Sequence, residues 1–161
     1  MLKKIISVLL VCVATACLAT GCGESGNTAL PTVPADTKSI SSKIKFSAKF
    51  TDQLSEISTA AAEKRYGVTA AQVKSVDVYV GTGATAEEIA VFQAKDDKAA
   101  QEIKGKAEAF VKVQKDSYAD YKPAEVPKLS SAVLEQKGTL VALCISADNQ
   151  KAKDLISGLM G

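Results

Sequence analysis

Residues 73–94 read VKSVDVYVGTGATAEEIAVFQA, and this stretch decides the fold. Val73 to Val80 is rich in β-branched residues, and Val76, Val78 and Val80 share one face because strand side chains alternate sides. Gly81-Thr82-Gly83 supplies a turn, and Glu87 to Ala94 (EEIAVFQA) reads as a second strand pairing back on the first.

Working outward, Thr51 to Tyr66 places Leu54, Ile57, Ala61 and Ala62 at helical spacing, with Gly67 as a stop. Residues 37–50 alternate lysines with Ile40, Ile44, Phe46 and Phe50 and also read as helical. Downstream, Asp96 or Asp97 can cap a long helix running to about Tyr118. Its inner face carries Ala99, Ile103, Ala107, Phe110, Val111 and Gln114. Its outer face alternates Lys98, Glu102, Lys106 and Lys104, Glu108, Lys112, which is a solvated face. Pro123 and Pro127 break the chain; Ala132–Gln136 and Thr139–Ser146 then form a second hairpin turning at Lys137-Gly138. The last strand, TLVALCIS, is apolar on both faces and belongs near the centre of the sheet. Asp148 caps a closing helix with Leu155, Ile156 and Leu159. The expected fold is α+β in the order helix, hairpin, helix, hairpin, helix. It has a four-stranded, mainly antiparallel sheet with helices packed on one face, in a single domain over residues 37–161.

The N-terminus is a separate matter. Lys3 and Lys4 precede an apolar run from Ile5 to about Thr20, short of the roughly 20 residues that span a bilayer. The run ends in Leu18-Ala19-Thr20-Gly21-Cys22, small residues before a cysteine, as a lipoprotein signal peptidase requires. Cys17 fits the same loose pattern, but the chain turns polar directly after Cys22, at Gly23-Glu24-Ser25. The expectation is a lipoprotein signal peptide over residues 1–21 and a lipidated Cys22. Residues 22–36 are then a flexible stalk, and the domain sits on the extracytoplasmic side of the cell membrane. An ordinary cleaved signal or an N-terminal anchor helix is the competing reading. A diacylated cysteine carries the two chains that stable anchoring needs.

Composition excludes several function classes. Removing residues 1–21 leaves 140 residues in which 18 Lys+Arg face 18 Asp+Glu, and Arg65 is the only arginine. No basic stripe suits a nucleic acid, and no polybasic run marks a lipid-binding patch. The chain has no histidine, which removes the usual general base, the Ser-His and Cys-His pairs and the commonest transition-metal ligand. With Cys22 acylated, Cys144 is the one remaining thiol, and it sits mid-strand as a small hydrophobe.

Three motifs invite chemistry, and each has a plainer reading. Gly81-Thr82-Gly83-Ala84-Thr85-Ala86 matches G-x-G-x-x-A after a strand, but a strand rather than a helix follows, so it reads as a turn. Ser42-Lys43-Ile44-Lys45 has S-x-x-K spacing, without the companion Ser-Asp-Asn and Lys-Thr-Gly motifs. Glu87-Glu88 and Asp96-Asp97 are acidic pairs; neighbours in a strand point to opposite faces, and the aspartates suit a helix start. The expectation is no catalytic residue, no metal site and no cofactor.

These features together resemble a family of lipoproteins from Gram-positive anaerobes, known as domain of unknown function 4358. The likeness runs over roughly residues 40–158. It rests on the lipobox ending in Cys22, Tyr66-Gly67, Glu88-Ile89-Ala90-Val91-Phe92, Lys95-Asp96, Tyr121-Lys122-Pro123, and Leu140–Ser146 with Asp148. It implies a single envelope domain with export and anchoring. The leading expectation is a membrane-anchored, non-catalytic binding or interaction module with an envelope protein as partner. The alternative is a small-molecule receptor or sensor component of a transporter or signalling system, and a carboxylate-, tyrosine- or lysine-based enzyme comes third.

Overall fold

The computed structural model describes residues 36–161. In chain order the elements are α1 (Thr37–Ser47), β1 (Ser55–Glu56), α2 (Thr59–Tyr66), β2 (Val73–Val80), β3 (Glu88–Ala94) and α3 (Asp97–Tyr121). A 3-10 turn (Pro123–Glu125), α4 (Val126–Ser130), β4 (Val133–Lys137), β5 (Leu140–Ile145) and α5 (Asn149–Leu159) complete them. The strands form one antiparallel sheet in the order β1-β2-β3-β5-β4. β3 is the middle strand, with Val80 opposite its Glu88 and Val141 opposite its Phe92.

β3 has no wet face. Ile89 and Val91 join Ile40 and Ile44 of α1 and Ile156 of α5 in one apolar cluster. Ala90 and Phe92 point the other way, into a second cluster with Tyr66, Ile103 and Leu143. Phe92 meets Tyr66 edge-on, with ring centroids 5.1 Å apart. Both clusters are drawn from residues between Ile40 and Met160, so this span contains its own core.

The structure is α+β, but it corrects the expected arrangement in three ways. The sheet has five strands rather than four, the element order is not the helix–hairpin alternation, and helices cover both faces instead of one. The fifth strand comes from the segment read as the start of a helix at Thr51. Ser55 and Glu56 pair with Val80 and Tyr79, and the Ile57 amide donates to Val78 O at 3.0 Å. Leu54 and Ile57, three apart, suit a helix stripe, yet here they enter opposite clusters, as odd spacing does in extended chain. The helix starts only at Thr59, where the Ser58 side chain caps it. The second helical layer follows from β3 itself, because a strand apolar on both sides requires cover on both.

Two substitutions test the two-faced core. Ile44→Ala and Ile103→Ala remove fully buried side chains from opposite faces, and each should lower stability by about 2–5 kcal/mol in urea titration. A neutral Ile44→Ala would contradict burial beneath α1.

Candidate functional site

The loop from Gly81 to Glu87 determines where the domain's buried charges go. The Gly81 amide donates to Glu87 O at 3.1 Å and closes the loop on itself. The Thr82 amide donates to Asp52 Oδ2 at 2.9 Å, and the Thr82 and Thr85 hydroxyls donate to the same carboxylate. The Ala86 amide donates to Glu125 Oε2 at 3.0 Å. Asp52 comes so close that a Cβ at Gly81 would stand 2.7 Å from its Oδ2, so any larger residue there must push the carboxylate off its loop donors. Gly83 sits at φ 90°, a conformation other residues rarely adopt. Loop amides that a dinucleotide phosphate would need at Thr82 and Ala86 are thus held by the protein's own carboxylates, and β3 follows rather than a helix.

Glu87 and Glu88 lead into β3 and turn to opposite sides. The Glu87 side chain is fully buried and accepts from the Thr51 amide (2.7 Å), the Thr51 hydroxyl (2.8 Å), the Asp52 amide (2.8 Å) and Lys128 Nζ (2.9 Å). Lys128 of α4 also pairs with Glu125 at 3.1 Å. Burial works against the Glu87 carboxylate, but Lys128 and the Asp52 and Thr51 donors outweigh it and hold its pKa below the ordinary value. Glu88, whose side chain is 3% exposed, accepts from Arg65 Nε at 2.8 Å, Arg65 Nη2 at 2.7 Å and the Tyr66 hydroxyl at 2.7 Å. The Arg65 guanidinium also lies 4.8 Å over the Phe110 ring. Burial, with Glu88 alongside, pushes the Tyr66 phenol well above its usual pKa, so it remains a donor.

The remaining sequence candidates stay apart. Lys45 Nζ of the S-x-x-K run sits 4.4 Å over the Tyr79 ring instead of activating Ser42. Asp96 caps α3 and Asp97 lies in its first turn. Burial pushes the Cys144 thiol up to about 12, far from a thiolate at neutral pH. Among the described residues no group of three or more His, Cys, Asp or Glu is placed to hold a metal, and no helix is long and apolar enough to cross a membrane. Cys22 lies outside the described residues.

An open cleft runs between α2 and α3. Val80 and Phe110 line a hollow of about 600 Å³ with Ile57, Ala61 and Val113, and Lys64 and Arg65 stand at its rim. Through Arg65, Val80 and Gln114 it continues into a polar pocket of about 240 Å³ beside the Gly81–Thr85 loop and Tyr118. Val113 is 64% exposed, an apolar side chain left in water. A separate hollow of about 590 Å³ lies between β4 and α5. There Asn149 is already bonded to Ser146, Lys128 O and Ser131. Sequence reasoning missed Arg65, Glu125, Lys128 and Tyr118 as partners. The available signal was that two glutamates heading an apolar strand need cations, and that the chain has one arginine.

The Glu87 contacts set a pH dependence. Its folded pKa lies below the unfolded one, so its contribution is complete above the ordinary value of 4.5 and is lost as pH falls through the folded value. Asp77, raised by burial, acts in the opposite sense. Urea midpoints should therefore fall on acidification more steeply for the native chain than for Glu87→Gln. Parallel curves would contradict the assignment.

The sequence profile described as domain of unknown function (DUF4358) matches residues 47–146, which take in Arg65, Glu87, Glu88, Glu125, Lys128 and the cleft. No curated protein and no solved structure matches the chain. The chain belongs to the domain of unknown function 4358 family.

Proposed function

We propose that this chain is a non-catalytic binding module, held on the outer face of the cell membrane by a lipid on Cys22, with the α2–α3 cleft as its contact surface. The observation that carries the reading is a contrast. Glu87, Glu125 and Lys128 are spent on one another and on loop donors, and Glu88 on Arg65 and Tyr66, whereas the apolar cleft lined by Val113 stays open. An acid/base enzyme needs a carboxylate free to take or give a proton, and Glu87 and Glu88 each hold three or more donors.

The charge around the cleft indicates its occupant. Lys64, Arg65 and Lys106 border it and its continuation along α3, and Glu88 nearby is covered by Arg65. The fitting partner is a segment of an envelope protein that presents apolar side chains beside a carboxylate. The alternative, a small-molecule receptor, has the polar 240 Å³ pocket beside Tyr118, which by itself falls below the roughly 300 Å³ of ordinary ligand sites. The lipid on Cys22 draws support from the apolar run and the small residues before that cysteine.

In-cell photo-crosslinking tests the proposal. A crosslinker at Val113 should give one dominant adduct, weakened by Lys64→Glu and lost in a Cys22→Ala form released from the membrane. A crosslinker at Lys153, on α5 across the sheet, should give none. Equal labelling from both positions, or none from Val113, would contradict the cleft as the contact surface.

A further inference from the structure

α1 carries a surface that the cleft does not use. Thr37, Ile40, Ser41 and Ile44 form its buried stripe, so at 3.6 residues per turn Phe46 is carried to the opposite side. Phe46 is 87% exposed, the most exposed of the large apolar side chains among the described residues. Lys43, one turn earlier, and Lys49, just past the helix end, are both exposed. Residues 37–50 contain four lysines and no carboxylate. Lys38 pairs with Glu56 and Lys45 lies over Tyr79, which leaves Lys43 and Lys49 without an ion-pair partner among the described residues. The flanking acids are engaged: Asp36 accepts from the Ser39 amide, and Asp52 from Thr82 and Thr85. α5, packed beside α1, adds exposed Lys151 and Lys153 against Asp154.

We propose that Phe46, Lys43 and Lys49 dock on a bilayer surface of anionic phospholipid headgroups and so orient the domain. An aromatic ring flanked by lysines suits the interface, where each lysine is worth about fivefold in partition. In sequence these lysines lie scattered among apolar residues; α1 sets Lys43 one turn from Phe46, and Lys49 follows Phe46 three residues on. The chain from Cys22 to Asp36 spans at most about 50 Å, and α1 is the first element after it. The tether therefore holds the patch at high local concentration, so weak contacts suffice to set orientation. α1 covers one face of the sheet while α2 and α3 cover the other, so docking turns the cleft away from the membrane. The orienting role rests on the lipid-anchor reading.

The chain has no tryptophan, so Phe46→Trp creates a single fluorescent reporter at an exposed site. The anchored chain is placed in phosphatidylcholine vesicles with and without phosphatidylglycerol. With phosphatidylglycerol present, emission should shift to shorter wavelength and be quenched by brominated acyl chains; Val113→Trp should show neither effect. In a second arm, the unlipidated chain from residue 22 with Cys22→Ala should still partition onto phosphatidylglycerol vesicles. Lys43→Ala combined with Lys49→Ala should lower that partition about 25-fold. If cells yield an unlipidated Cys22 while the second arm holds, the anchor reading fails and the docking surface stands. An unquenched reporter in the anchored Phe46→Trp chain, or equal quenching without phosphatidylglycerol, would overturn the docking surface.

Discussion

A carboxylate taken out of water must find donors or lose its charge, and the central strand of this domain is headed by two of them. Glu87 draws in Thr51, Asp52 and Lys128 from one side, and Glu88 draws in Arg65 and Tyr66 from the other. Leaving either without its cation strands a buried charge, so these contacts constrain where the 51–52 segment, α2 and α4 can sit. The constraint is met throughout: among the described residues every buried side-chain nitrogen and oxygen has a hydrogen-bond partner. The second tier is the same physics at smaller scale, with Asp52 and Glu125 gathering amides of the Gly81–Ala86 loop.

This arrangement separates the parts that hold the domain together from the surfaces left for function. The buried carboxylates are committed to the fold, and the open surfaces offer shape, apolar area and exposed lysines. The cleft beside α3 and the Phe46 patch on α1 lie on opposite sides of the sheet. Such a layout suits the proposed tethered module, with the membrane on one side and the proposed partner on the other. The family profile covers the cleft and the charge clasps and begins at the last residue of α1.

What could be read from the sequence follows from how far each signal reaches along the chain. Strand alternation over Val73–Val80 and the capping aspartates Asp96 and Asp148 are local, and they stand in the structure as a strand and two helix caps. The Ala99–Ile103–Ala107 stripe of α3 is likewise buried. β1 was hidden because two residues carry no period, and Leu54 and Ile57 satisfy a helix as well as a strand. The placement of α1 was hidden for a different reason. Ile40 and Ile44 show which side of the helix is apolar, but not which side of the sheet it covers. The site was the least legible. Arg65 and Glu88 are 23 residues apart, and Lys128 and Glu87 are 41 apart, so only the folded topology brings them together.

The fold depends on its charge clasps, and a double-mutant cycle in urea across Arg65 and Glu88 tests that dependence most directly. Breaking a buried pair costs about 3–5 kcal/mol, and less where one partner still reaches water; the Arg65 side chain is 35% exposed. Arg65→Met and Glu88→Gln should each destabilise the domain, and the double variant should lose less than the two together, with a coupling of at least about 1 kcal/mol. Strictly additive losses, or single variants as stable as the native chain, would contradict the account.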